Sequence, residues 1–194
     1  MMQPVTAKEL LPIPVYVAAR DTYRAEIIAY KKACRRVAVG PALTFLFEDR
    51  KTVLFQLQEM LRVENIVDPE GVAEELEVYN ALLPGEAQLS ATLFVEFSST
   101  EAVRAEMHQF LGVTRAVYLV VGEHEVAGLF EEGRTEADRI SSVQYVRFTF
   151  SPEAKAAFLG EGAEARLEVR SEGYHHSAPL SPEMQAALRR DLEA

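Results

Sequence analysis

Up to Pro84-Gly85 the apolar residues of this chain recur at helical spacing, and beyond it they alternate at strand spacing. That change of dominant period points to an α+β order, mainly helices first and then a mainly antiparallel sheet with helices between its strands. Tyr23, Ile27, Tyr30, Cys34 and Val37 recur at steps of four and three, one stripe of a helix over residues 20–37. Arg24, Lys31 and Arg35 make a neighbouring stripe, with Lys32 and Arg36 beside it, and Gly40-Pro41 ends the element. Residues 1–19, interrupted by Pro4, Pro12 and Pro14, read as an irregular lead-in. A short strand is expected at 42–47 and a second helix at 52–66. Asp68 caps a third helix, with Pro69 at its first position, that runs to about Leu83.

Leu89, Ala91, Leu93, Val95 and Phe97 then alternate with Ser90, Thr92, Phe94 and Glu96, the pattern of a strand. A capping box opens a helix over 98–111. AVYLVV and EVAGLF form a hairpin about Gly122, and a polar loop spans 133–139. SSVQYVRFTF and ARLEVRS are strands, and Ser-Pro-Glu at 151–153 and at 181–183 starts two more helices. The expected fold is α+β: N-terminal helices in 1–85, packed with a mainly antiparallel sheet of about five strands and intervening helices in 86–194. A length of 194 residues suits one compact domain.

Charge narrows the partners. Residues 1–51 carry nine Lys/Arg against five Asp/Glu; residues 52–194 carry eleven against twenty-five. The acidic body repels nucleic acid and anionic lipid at long range. The basic first helix, with Tyr23 and Tyr30, could bind nucleic acid, but both tyrosines share its apolar stripe and read as core. No nucleic-acid or membrane partner is expected. LPIPVYVAA is too short and too rich in proline for a signal peptide or membrane span, so a cytoplasmic protein is expected. Cys34 is the only cysteine, which rules out an internal disulfide. It reads as a small core residue, though its basic sequence neighbours keep a redox role open.

The second helix holds the least ordinary chemistry. On its wheel, Gln58, Arg62 and Asn65 take the solvent stripe, with Val53, Leu57 and Leu61 opposite. Gln56 and Glu59 fall off that stripe among Phe55, Met60, Val63 and Ile66. An ionised Glu59 there needs a cation or several donors. If the first two helices pack antiparallel, Arg35 and Arg36 are the expected cations, with Glu48 and Glu64 joining the network. The candidate set is therefore Arg35, Arg36, Glu48, Gln56, Glu59, Arg62 and Glu64, read either as a structural network or as a site for a small anion. His108, His124, His175 and His176 lack metal-ligand spacing, and no phosphate loop, nucleophile elbow or cofactor motif is present, so neither metal nor cofactor is expected.

YRAEIIAYKKACRRVAVGP, TFLFEDRKTVLFQLQEMLRVENI, ELEVYNALLPG and LSATLFVEF together resemble the family catalogued as domain of unknown function 3501. The likeness continues through SSVQYVRF and YHHSAPLSPEMQAALRRDL, and QLQEMLRVE is its most specific string. The resemblance implies a bacterial protein with no assigned activity, and through the family's gene neighbourhoods a role near redox or peroxide metabolism. It carries over no catalytic residue. Two functions follow as expectations: a non-catalytic accessory protein that binds a protein partner or self-associates, and a small-molecule-binding protein or enzyme using the Arg/Gln/Glu cluster.

Overall fold

The computed structural model describes residues 2–96, 110, 112–131, 141–160 and 162–194. Its elements run α1 (Ile13–Cys34), β1 (Arg36–Val39), β2 (Leu43–Phe47), α2 (Arg50–Glu64), α3 (Pro69–Asn80), β3 (Gln88–Val95), β4 (Val117–Val121), β5 (His124–Phe130), β6 (Val143–Thr149), α4 (Pro152–Leu159), β7 (Ala165–Ser171), β8 (Tyr174–Pro179) and α5 (Pro182–Glu193). The helix expected at 98–111 lies outside the described residues except for Phe110, as do the loop at 133–139 and His108.

The fold is α+β, but among the described residues the sheet has eight strands rather than about five, in the order β1-β2-β3-β6-β5-β4-β7-β8. Every pairing is antiparallel. The extra strands include β1 and β8. Val37, assigned to the first helix, pairs with Phe45 in β1. The first helix also begins at Ile13, not Arg20, because Pro14 sits in its first turn, where a missing N–H costs nothing.

One face of the sheet and the two C-terminal helices build the main core. Phe45, Phe47, Leu93, Val146 and Phe148 from the strands meet Phe158 of α4 and Met184, Leu188 and Leu192 of α5. Each such side chain contributes about 1.5–3 kcal/mol by leaving water. The sheet curls until its edge strands meet. Tyr174 on β8 donates from its hydroxyl to the Val39 carbonyl of β1 (2.7 Å) and accepts from the Ala42 N–H (3.0 Å). Gly40 lies in that closure with φ +73°, and a Cβ there would stand 2.5 Å from the Tyr174 hydroxyl and 2.6 Å from the His176 ring.

The other face carries α1 to α3. A smaller core joins Val53, Leu57 and Leu61 of α2 to Val5 and Leu83, with Val72 and Leu76 of α3 packed against it. Gln58, expected on the solvent stripe, is buried here. Its amide takes the Leu11 N–H (2.9 Å) and gives to the Leu11 carbonyl (3.0 Å), so both of its polar atoms are satisfied. Asn80 of α3 clamps Val5 in the same two-point way. The lead-in is thus held to the helices as if by a partner strand.

Candidate functional site

The seam between α1 and α2 holds most of the polar side chains singled out by sequence. Few apolar groups secure it: of the 22 residues of α1, only Tyr16 and Ile27 are buried. Polar contacts do the anchoring instead, in two clusters at opposite ends of the antiparallel pair.

At the first end, Glu59 receives the Tyr16 hydroxyl (2.8 Å), two guanidinium N–H groups of Arg20 (2.9 and 2.8 Å) and two of Arg62 (3.2 and 3.3 Å). The Arg20 bonds pull its carboxyl pKa down to about 2; partial burial opposes this, and the Arg62 and Tyr16 bonds add to it. Burial, followed by the bond it gives to Glu59, raises the Tyr16 hydroxyl. Glu59 therefore takes guanidinium partners, but not Arg35 or Arg36. Antiparallel packing explains the difference. The end of α1 meets the start of α2, and ten residues at 1.5 Å per residue separate Asp49 from Glu59 by about 15 Å.

At the second end, Arg35 is 3% exposed and pairs with Asp49 (2.8 Å) and Asp191 of α5. Tyr30 donates to Asp49 and accepts from the Arg35 Nε (2.9 Å). Asp49 also caps α2 by accepting the Thr52 N–H at 2.8 Å. One arginine thus ties α1, the start of α2 and the C-terminal helix together. Burial pushes the Asp191 carboxyl up, while the Arg35 bond and charge pull against it.

Glu48 directly precedes Asp49 and is buried at the start of α2. It accepts from Thr52 (2.5 Å), Thr92 (2.6 Å) and Gln56 (2.9 Å), and no cation reaches ion-pair distance among the described residues. Burial raises its carboxyl pKa; the hydroxyl and amide donors and the charge of Lys31 act against that rise. Arg36 is exposed and pairs with Glu96 at 2.7 Å. Glu64 is exposed and joins neither cluster. The expected set is therefore divided: Glu59 with Arg62, Arg35 by itself, Glu48 with Gln56, and Arg36 and Glu64 at the surface.

Sequence reasoning passed over Tyr16, Arg20, Asp49 and Asp191. Asp49 had a legible signal, the D-x-x-T spacing of a helix cap that Thr52 completes. Tyr16 and Arg20 were hidden by placing the helix start too late. Cys34 is half-buried, its thiol toward the Tyr30 carbonyl at 3.5 Å. His175 is exposed, and His176 packs on the Tyr174 ring at 4.4 Å between centroids. Among the described residues no three His, Cys, Asp or Glu side chains are grouped to hold a metal ion. None of the described helices is long and apolar enough to cross a membrane.

Glu59→Gln is expected to destabilise by about 1–2 kcal/mol at neutral pH, the range for charge-assisted bonds at a partly wet site. Its depressed pKa sets the pH window. The contribution is complete above the ordinary carboxylate range and is lost as pH falls from 4.5 toward about 2. Urea denaturation of both proteins across that window checks it: the stability difference should shrink as pH falls.

An antiparallel eight-stranded near-barrel among the described residues, with three helices laid over its outside and the first of them pinned by ion pairs, defines the class as α+β. The chain belongs to the family described as protein of unknown function (DUF3501), whose model matches residues 4–192. It is similar to a protein of unknown function from Burkholderia pseudomallei, known from a crystal structure, with TM-score 0.89 and 32% sequence identity over 98% of this chain and 100% of that one. No curated protein matches it.

Proposed function

We propose that this is a non-catalytic accessory protein that works by association, and that its helical layer docks a second copy of the chain. One observation carries the reading. The helices that cover the sheet leave large apolar side chains in water and carry opposite charges on the two flanks of α2. Val15 and Val17 of α1 are 53% and 52% exposed, and Val63, Val67 and Val78, in and beside α2 and α3, are 60%, 72% and 60% exposed. Arg20, Arg24, Lys31 and Lys32 outnumber Asp21 and Glu26 on α1, whereas α3 carries Glu70, Glu74, Glu75 and Glu77 and no base.

A basic helix and an acidic helix on one surface are self-complementary under a two-fold axis: α1 of each copy meets α3 of the other. Apolar area supplies the affinity of such a contact, and the charges set its register. The charged seam supports association over catalysis, since Glu59, Arg35 and Asp49 each have partners within the chain. A place in redox or peroxide metabolism rests on the family resemblance alone.

Sedimentation equilibrium of the full chain is expected to return twice the mass of one chain, with the dimer weakened by added salt. A single-chain mass at every concentration would overturn the proposal.

A further inference from the structure

We infer that the cavity between the C-terminal half of α1 and the outer face of β1 to β3 binds a small organic anion. Lys31 and Lys32 hold its charged group, and its apolar body lies on Ile28, Leu46 and Phe94. Lys31 and Lys32 also contribute to the basic charge of α1, but binding of small probes tests this site whatever the outcome for association.

The cavity has a volume of about 440 Å³ and is lined by those five residues and Arg36. That size suits a small-molecule site, and an apolar floor with a few polar groups at one side is the usual lining of one. Its charges are not balanced from within. Arg36 is engaged by Glu96 at 2.7 Å, but neither Lys31 nor Lys32 has a carboxylate within ion-pair distance among the described residues. The Lys31 ammonium lies over the Phe55 ring, 5.5 Å from its centroid.

Lys31 is also half-buried. Burial pushes its ammonium pKa down, with Arg36 adding to the fall and Glu48 and Asp49 opposing it. A partly dehydrated ammonium with no carboxylate at ion-pair distance is costly, and an anion in the cavity would supply a closer counter-charge. Two other cavities have carboxylates in their lining, Glu75 and Glu131 in one and Glu9 and Glu26 in the other, where this one has none. The one of about 740 Å³ beside α3 contains Arg147, whose guanidinium already donates to the Leu83 and Ala81 carbonyls. In the one of about 280 Å³ between α1, α2 and the lead-in, Lys51 lies over the Tyr30 ring at 4.6 Å and Glu9 binds Arg50.

The ligand class follows from the lining: a carboxylate or phosphate monoester on a ring-sized apolar body. Titration calorimetry of the full chain with phenyl phosphate and with benzoate tests it, with inorganic phosphate and benzyl alcohol as the two half-ligands. At least one of the two full probes is expected to bind about tenfold more tightly than either half, a difference of about 1.4 kcal/mol. The tighter probe assigns the head group. Lys31→Met and Lys32→Met are each expected to weaken that probe about tenfold. Lys32 is exposed, so Lys32→Met leaves the fold intact and its result stands even if Lys31→Met fails to fold. Absence of saturable binding by both probes, or unchanged binding in Lys32→Met, would overturn the inference.

Discussion

Arg35→Met is expected to lower stability by about 3–5 kcal/mol, because it leaves two buried carboxylates without their cation. Arg35 is 3% exposed and binds Asp49 and Asp191, side chains that come from the start of α2 and the end of α5. Losing it also removes the donor to the Tyr30 hydroxyl. The damage should propagate through α1, which buries only Tyr16 and Ile27 and has little apolar grip of its own. Asp191 is already pushed toward its neutral form by burial, so it should take up a proton in the variant. Asp191→Asn added to Arg35→Met is therefore expected to recover part of the loss. Urea denaturation of the single and double variants measures both effects. A loss below about 1 kcal/mol in the single variant would mean that the pair behaves as an exposed one.

Gly40→Ala should cost about 2–5 kcal/mol. A left-handed backbone costs a non-glycine residue about 1–2 kcal/mol, and overpacking adds about 1–3. Both apply, since φ is +73° and the new Cβ would meet the Tyr174 hydroxyl and the His176 ring well inside contact distance. The strain falls where β1 and β8 approach, so amide exchange should quicken first in those two strands. Uniform acceleration across the sheet would contradict closure of the near-barrel at this point.

Much of this architecture could be read from the residues, for reasons that differ by element. The helices opened by Ser151 and Ser181 were legible because both serines accept a backbone N–H in the first turn and a proline follows each. The β4–β5 hairpin was legible from two apolar runs about a glycine. β1 was not: Val37 continues the apolar spacing of α1, and periodicity cannot reveal that the helix stops at Cys34. Nor was β8, an edge strand that buries only Tyr174 and so lacks a run of alternating apolar residues. Gln58 was misplaced because a wheel sorts residues by polarity, whereas this amide is buried by what it binds, the backbone of Leu11. The carboxylate of Glu59 was correctly singled out as needing cations, but their identity depends on where α1 begins, and Pro12 and Pro14 obscured that point.

The proposal that α1 of one copy docks on α3 of another is tested most directly by a reciprocal charge swap. Arg24 and Glu74 are exposed on the two helices, and neither has an ion-pair partner among the described residues. Arg24→Glu and Glu74→Lys should each sediment as single chains, because each homodimer would then set like charges together. An equimolar mixture of the two should sediment as a dimer, with opposite charges restored at both contacts. A mixture that stays at the mass of one chain, or single variants that still pair as the unaltered protein does, would contradict it.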